Sequence, residues 1–475
     1  MKLNQLNLIL ITTLLASCLL ASCGGGGGGG GGNTSNPNDT LQDLEPSAPT
    51  DSSVWLEASP ESVGMDGTII STAFDQAFAD GTYTQAALVI KDNKLVYERY
   101  RGIMPSEKST LVSELGSDSQ TLQDRFGSRD KNSLASSWST AKSFTSVMVA
   151  IAIEQGFINS IEESASVYID EWSDDERAQI TIRNLLDMRS GLPLICTGAN
   201  TRALGICADD SAGSGGNLVY ADNQMDACIN RQMATTGIPQ PWYTYAAPNY
   251  ESGYWVYSNC DTMVLGEILF RATGQDLQTY ADTHLFSKLG MDAYWWQDNT
   301  PSAQVDGNYL AYCCLDATPR DFAKFGQLLL NNGMWDGEQV IPAAYIDKIK
   351  DIVVDSKVIE IPTVSFSYGL QFWTIIPAIQ SDGTIYPAAN TIYATQGFDG
   401  QYIMIDFDRD LVVVRTSLYY PALAANDQRK MSIDIADTVN SFYTATLPAG
   451  VGATSGTSYN NQALLYKVTQ SITSQ

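Results

Sequence analysis

The sequence predicts an α+β fold: an antiparallel sheet completed by both ends of the chain, flanked by helices, with a mostly helical lobe inserted between its halves. Two observations carry this. Strand patterns cluster near each end, and the long middle carries an apolar repeat close to 3.6 residues. At the first end, Ala87-Leu88-Val89-Ile90 is apolar, Lys91-Asp92-Asn93-Lys94 reads as a turn, and Leu95-Val96-Tyr97 resumes. At the other, 366–376 and 402–407 read as strands, Asp408-Arg409-Asp410 turns the chain, and Leu411-Val412-Val413-Val414 reads as another. Helical patterns fall between them at 140–156, 181–188, 261–272, 276–286, 319–331 and 342–350, with one more near 427–443 after the last strand.

The chain divides readily by composition. Lys2 and the apolar run from Leu6 to Leu20 make residues 1–23 an export signal rather than part of the fold. The run is too short for a permanent membrane span. It ends in Leu20-Ala21-Ser22-Cys23, which resembles the cleavage box of bacterial lipoproteins, so lipid on Cys23 is the expected anchor. A second box, Leu15-Ala16-Ser17-Cys18, lies upstream; the glycine run Gly24 to Gly32 favours Cys23. Residues 24–53 are Gly-, Ser-, Asn- and Pro-rich and read as a flexible tether. A coil of about thirty residues would hold the folded part roughly 30 Å from its anchor. The folded domain is expected over 54–445, with a sheet lobe from 54–135 plus 335–445 and a helical lobe from 136–334. Residues 446–475 begin with a Gly-, Ser- and Thr-rich stretch and are expected to be a mobile tail.

The formal charge is −26, from 27 basic and 53 acidic residues. That balance argues against nucleic acid and against charge-driven binding to an anionic membrane. Its simplest meaning is a solvated acidic surface. Beyond Cys18 and Cys23 the cysteines are 196, 207, 228, 260, 313 and 314. Their spacing does not resemble a metal site, and an exported protein permits disulfides. Cys196 and Cys207 flank a short loop and are free to pair. Cys313 and Cys314 are neighbours, so at least one is expected to bond elsewhere.

The chemistry-bearing feature is Ser139-Thr140-Ala141-Lys142. A serine and a lysine three apart share a helix face, so the lysine can take the serine's proton and make it a nucleophile. Phe144, Val147, Met148, Ile151 and Ala152 follow at helical spacing, placing Ser139 at the start of a buried helix. There its N–H lies at the positive helix end, suited to an oxyanion. A second copy, Ser128-Arg129-Asp130-Lys131, has polar flanks and reads as a solvated loop. The sole histidine, His284, sits in an amphipathic stretch that looks like ordinary helix packing, which makes a Ser-His-Asp triad improbable. Tyr257-Ser258-Asn259 precedes a helix, whereas Tyr459-Asn460-Asn461 falls in the tail. Gln396-Gly397-Phe398 stands before a strand, where glycine lets a sheet edge approach a ligand. Trp242, Tyr243, Tyr245, Tyr250 and Trp255 fit a cleft lining and a core equally well.

The order Ser-x-x-Lys, Tyr-x-Asn, glycine-bearing edge resembles the penicillin-recognising serine hydrolases. More narrowly it is similar to the class C β-lactamase-like group that includes esterases and 6-aminohexanoate-dimer hydrolases. Ile182-Arg183-Asn184-Leu185-Leu186, Leu265-Gly266-Glu267-Ile268 and Ala317-Thr318-Pro319-Arg320-Asp321 add to the likeness, which runs from about Trp55 to Tyr443. The resemblance implies a β-lactamase/transpeptidase-like fold and a serine hydrolase that needs no cofactor and no metal. In it Ser139 is the acylated nucleophile, and Lys142, alone or sharing the proton with Tyr257, is its base. Tyr257 protonates the leaving group, Asn259 holds Lys142 and the substrate, and Thr395-Gln396-Gly397 is the strand edge, with Phe398 as second oxyanion donor. An ordinary lysine titrates at about 10.4, so this base must be depressed by roughly 3 pH units to serve at neutrality.

Relatives that bind penicillin often carry Lys-Thr-Gly where this chain has Thr395-Gln396-Gly397. The missing cation would greet a substrate carboxylate. The expected substrates are therefore small esters or linear amides, cleaved through an acyl-enzyme. A β-lactamase or D-Ala-D-Ala carboxypeptidase is the alternative, and a catalytically idle envelope binding protein the alternative of another class. The same likeness leaves room for a disulfide near the cleft at Cys313-Cys314.

Overall fold

Asp92 and Asn93 both adopt positive φ, 51° and 61°. Two such residues in succession make the tight turn whose twist matches a hairpin, and they join strands that pair from Ala86↔Tyr100 to Lys91↔Lys94. The computed structural model describes residues 55–115, 118–192, 218, 221, 223–231, 257–298, 307–353, 360–361, 364–365, 368–374, 392–397, 400–418, 429–430 and 461–473.

The main sheet contains β1 (Leu56–Glu57), β2 (Thr84–Lys91), β3 (Lys94–Tyr100), β4 (Tyr368–Gly369), β5 (Phe372–Thr374), β6 (Ile392–Gly397), β7 (Gln401–Asp406) and β8 (Leu411–Ser417). Their order across the sheet is β1-β3-β2-β8-β7-β6-β5-β4. Every pairing is antiparallel except β1 with β3. The N-terminal hairpin thus pairs with the last strand, Val89 opposite Val413, as expected of a sheet completed by both chain ends.

Alternation along the strands divides the core in two. Ala87, Val89, Ala394, Met404 and Val413 face one layer. Leu88, Ile90, Ile403, Ile405, Val412 and Val414 face the larger one. Helix α1 (Gly67–Ala77) covers the first layer with Ile70, Ala73, Phe74 and Ala77, a single stripe at i, i+3, i+4, i+7. Its start is fixed by Asp66, whose carboxylate accepts from the Thr68 and Ile69 amides at 2.8 and 3.3 Å. On the other side lie α2 (Ala141–Glu154), α3 (Asn259–Thr273) and α4 (Pro319–Leu330). Helix α4 lies directly on the sheet because Gly326 faces it. A Cβ there would stand 2.6 Å from Val412 Cγ1 and 2.8 Å from Ile403 Cγ2.

Two expectations are corrected. The tail is not mobile throughout: α5 (Asn461–Gln470) packs against α1 and buries Leu464, Leu465 and Val468 in the first layer. The Asp66 amide donates to Ser471 O at 2.7 Å, and the Thr473 amide to Gly64 O at 2.8 Å. The Gly/Ser/Thr composition before it hid a short amphipathic pattern. Leu464→Ala is expected to cost about 3 kcal/mol, read as a lower midpoint in denaturant at unchanged m-value.

The strand expected over 366–376 is also interrupted. Leu370 and Gln371 take positive φ, 48° and 66°, between β4 and β5. The turn is drawn into the helical lobe. Gln371 Nε2 donates to Leu185 O and Leu186 O at 3.0 and 2.9 Å, and Leu370 N to Asp187 Oδ1 at 2.8 Å. Ser143 and Ser146 of α2 donate to Gln371 O and Leu370 O, each at 2.6 Å. The helix expected near 427–443 lies almost wholly outside the described residues. Among the described residues no helix is long and apolar enough to cross a membrane.

Candidate active site

Ser139 lies in a 3₁₀ turn, Trp138–Thr140, that runs straight into α2. Trp138 adopts φ 46°, a left-handed conformation that costs a bulky residue about 1–2 kcal/mol. Its carbonyl is held by the Cys314 amide at 3.2 Å and the Ser137 hydroxyl at 3.0 Å. This bend presents Ser139, 4% exposed, at the head of a helix buried along nearly its whole length.

Lys142, one turn on, is fully enclosed. Its Nζ lies 3.0 Å from Ser139 Oγ, 2.8 Å from Asn259 Oδ1 and 2.8 Å from Tyr312 O. The latter two atoms are carbonyl oxygens and can only accept. A neutral amine has two N–H bonds and one lone pair. With both N–H bonds spent on Asn259 and Tyr312, the lone pair is left for the Ser139 hydroxyl. Burial favours that neutral form, holding the amine well below the ordinary lysine range.

Tyr257 and Asn259 lie beside Lys142. The Tyr257 ring face lies 4.9 Å from Lys142 Nζ, and the Tyr312 ring 5.4 Å. Tyr257 is fixed from behind by Trp373, stacked at 5.6 Å, and by Tyr368, edge-on at 5.8 Å. Both come from the strands that Gln371 ties to the helical lobe, and Gln371 Oε1 also accepts from Thr262 of α3 at 2.9 Å.

Asn259 opens α3, and its position is set by an interior ion pair. Arg231 and Asp261 meet at 3.0 Å, 0% and 1% exposed at their side chains. Arg231 also donates to Ser258 Oγ (3.3 Å) and Cys228 O (3.0 Å), and the Ser190 hydroxyl donates to Asp261 (3.0 Å). Burial pushes the Asp261 carboxyl up, and the guanidinium opposes that shift. A disulfide between Cys228 and Cys260 ties the same two segments covalently.

On the sheet side, Gly397 at the end of β6 meets the turn that carries Ser139. A Cβ at Gly397 would stand 2.1 Å from Ser137 O, so only glycine permits this approach. Thr395 donates to Thr140 Oγ1 at 3.2 Å, and Thr140 donates to Gln401 O at 3.3 Å. Gln396 is half-buried at this edge. Phe398, Cys23 and the aromatics 242, 243, 245, 250 and 255 lie outside the described residues, as do Cys196 and Cys207.

His284 takes no part. Its ring packs on Tyr280 at 4.6 Å and pairs with Gln155 at 2.9 Å, just past the far end of α2. That is about 20 Å along the helix from Lys142, at 1.5 Å per residue. Ser128 and Lys131, the second copy of the motif, are both exposed in a loop. Cys313 and Cys314 do not find separate partners but are bonded to each other. Sequence reasoning missed Tyr312, which acts through a backbone carbonyl, and Arg231, whose lone position carried no pattern.

An antiparallel sheet with a buried Ser-x-x-Lys helix set against its edge is the architecture of the β-lactamase/transpeptidase-like serine hydrolases. The family model Beta-lactamase matches residues 72–430, about three-quarters of the chain, and this protein belongs to that family. Among solved structures, a candidate beta-lactamase from Bacteroides dorei DSM 17855 shares the fold with TM-score 0.52 at 15% identity, over 86% of this chain and 99% of its own. A candidate 6-aminohexanoate-dimer hydrolase from Bacillus anthracis matches at 23% identity and TM-score 0.49, over 75% of this chain and 79% of its own. A penicillin-binding protein homolog from Caulobacter crescentus matches at 14% and 0.49, over 79% and 96%.

Proposed function

We propose that this protein hydrolyses small esters or linear amides through an acyl-enzyme on Ser139. The observation that carries the reading is the buried Lys142 Nζ 3.0 Å from Ser139 Oγ; in the neutral amine, N–H bonds to Asn259 and Tyr312 leave the lone pair for that hydroxyl. Lys142 takes the hydroxyl proton as Oγ adds to the substrate carbonyl carbon. The carbonyl π electrons move to oxygen, where the Ser139 N–H and a second N–H beyond Gly397, assigned to Phe398, receive them. Collapse expels the leaving alcohol or amine, which takes its proton from the Lys142–Tyr257 pair. Water then repeats the sequence on the ester at Ser139 and returns the free enzyme.

The substrate class rests on Thr395. The strand edge holds a buried, uncharged hydroxyl where a substrate carboxylate would call for a cation. A chromogenic cephalosporin is therefore expected to be turned over with kcat/KM about a hundredfold below that of a short-chain p-nitrophenyl ester, as loss of a charge-assisted contact worth about 2–3 kcal/mol implies. Parallel assays of the ester, a linear amide and the cephalosporin decide it. A cephalosporin rate above the ester rate would make this a β-lactamase instead. The Leu20-Ala21-Ser22-Cys23 box supports an enzyme held outside the cytoplasm by lipid on Cys23.

A further inference from the structure

Residues 311–315 run antiparallel to residues 137–145 and are bonded to them at almost every step. Thr145 Oγ1 donates to Ala311 O at 2.7 Å, and Lys142 Nζ to Tyr312 O at 2.8 Å. The Cys314 amide donates to Trp138 O at 3.2 Å. The Ser137 amide donates to Leu315 O at 2.8 Å, and the Leu315 amide to Ser137 Oγ at 2.9 Å. At the centre of this zipper the two neighbouring cysteines are joined, with Cα atoms 3.7 Å apart and exposures of 2% and 1%. The bond lies between the carbonyl that holds the base and the amide that holds the bend before the nucleophile. Cys314 also sits at φ 63°, a conformation an open-chain cysteine seldom keeps.

We infer that the Cys313–Cys314 disulfide is a positioning device for Ser139 and Lys142, so that the enzyme works at full rate only in its oxidised form. The inference rests on the assignment of those two residues as nucleophile and base. Closing the ring leaves residues 312–314 few backbone conformations, and the one adopted points Tyr312 O at Lys142 and Cys314 N–H at Trp138. Opening it lets Cys314 relax to negative φ and loosens both bonds at once. Small displacements of a reacting pair are costly to rate and much less so to substrate binding. Reduction by a trialkylphosphine breaks the S–S bond, leaves two thiols and converts phosphine and water to phosphine oxide. Reduction by a dithiol instead transfers two electrons and two protons, and the dithiol becomes a disulfide.

The test is steady-state ester hydrolysis by the Cys313→Ser/Cys314→Ser protein beside the wild type and Ser139→Ala. The expected result is a kcat lower by at least about tenfold, with KM within about twofold and a cooperative melting transition retained. In parallel, wild type is reduced with the phosphine, sampled for activity, alkylated and mapped by mass spectrometry. Loss of activity should follow alkylation at 313 and 314 and should occur equally in a Cys228→Ser/Cys260→Ser background. A folded double variant with wild-type kcat overturns the inference, as does a loss that follows other cysteines. Should the double variant fail to fold, the mapped reduction decides alone. An oxidised Ser139→Ala protein with wild-type activity would sink the nucleophile assignment itself, a separate result read before any cysteine is touched.

Discussion

Ser139→Ala is expected to lower kcat for ester hydrolysis by about 10³- to 10⁶-fold, the range seen when a nucleophile is removed from a working constellation. The change deletes one oxygen at a site already 4% exposed, so packing is nearly preserved. Lys142 keeps its bonds to Asn259 and Tyr312. The variant should therefore melt within a few degrees of wild type and bind substrate with similar KM. It should also fail to react with a phosphonate that labels the wild-type serine. A variant with unchanged activity would move the chemistry away from this pocket altogether.

Lys142→Arg is expected to be nearly as damaging, about 10³- to 10⁴-fold in kcat. A guanidinium stays charged at every accessible pH and offers no lone pair to the serine. The clearer readout is the pH profile. Burial disfavours the ammonium, so Lys142 gives up its proton at lower pH than an ordinary lysine, and activity should rise with pH through that depressed value. The arginine variant should lack this limb and show only a residual rate that follows hydroxide. Folding has the same sign. The unfolded chain holds this proton up to about pH 10.4, whereas the folded protein releases it earlier. The contribution of Lys142 to stability is therefore complete above that value and is lost as the pH falls through the depressed one. A wild-type profile flat from pH 5 to pH 9 would argue against lysine as base.

The parts of the site that could be read from sequence are those written in side chains at local spacing. Ser139 and Lys142 are three apart on a helix, and Tyr257 and Asn259 stand at the mouth of another, so their partnership followed from position. Gly397 was legible because close approach of a backbone needs glycine. Tyr312 was not, since its part is played by a carbonyl that every residue owns. Arg231 reaches Asp261 across 30 positions, a contact with no local signature. Adjacent cysteines look too close to bond, and that reading fails where the chain accepts a left-handed residue at Cys314. In the fold, strand and helix types were recovered where one pattern ruled a segment. Leu370–Gln371 broke its strand because a buried glutamine amide found carbonyls on another element, which outweighed the local preference for extended chain.

The pairing of Val89 with Val413 has a consequence for how the molecule comes into being. The N-terminal hairpin is made early in synthesis, yet its free edge has no partner until the chain has grown by more than three hundred residues. Contacts of that separation form slowly and leave a strand edge open in the meantime. The strand edge that faces Ser139 belongs to the same late-arriving segment, so the pocket around Ser139 closes only when the sheet does. In a nascent chain, however well its helices have formed, the Ser139 turn accordingly lacks Gly397 as its neighbour until the last strands have taken their place.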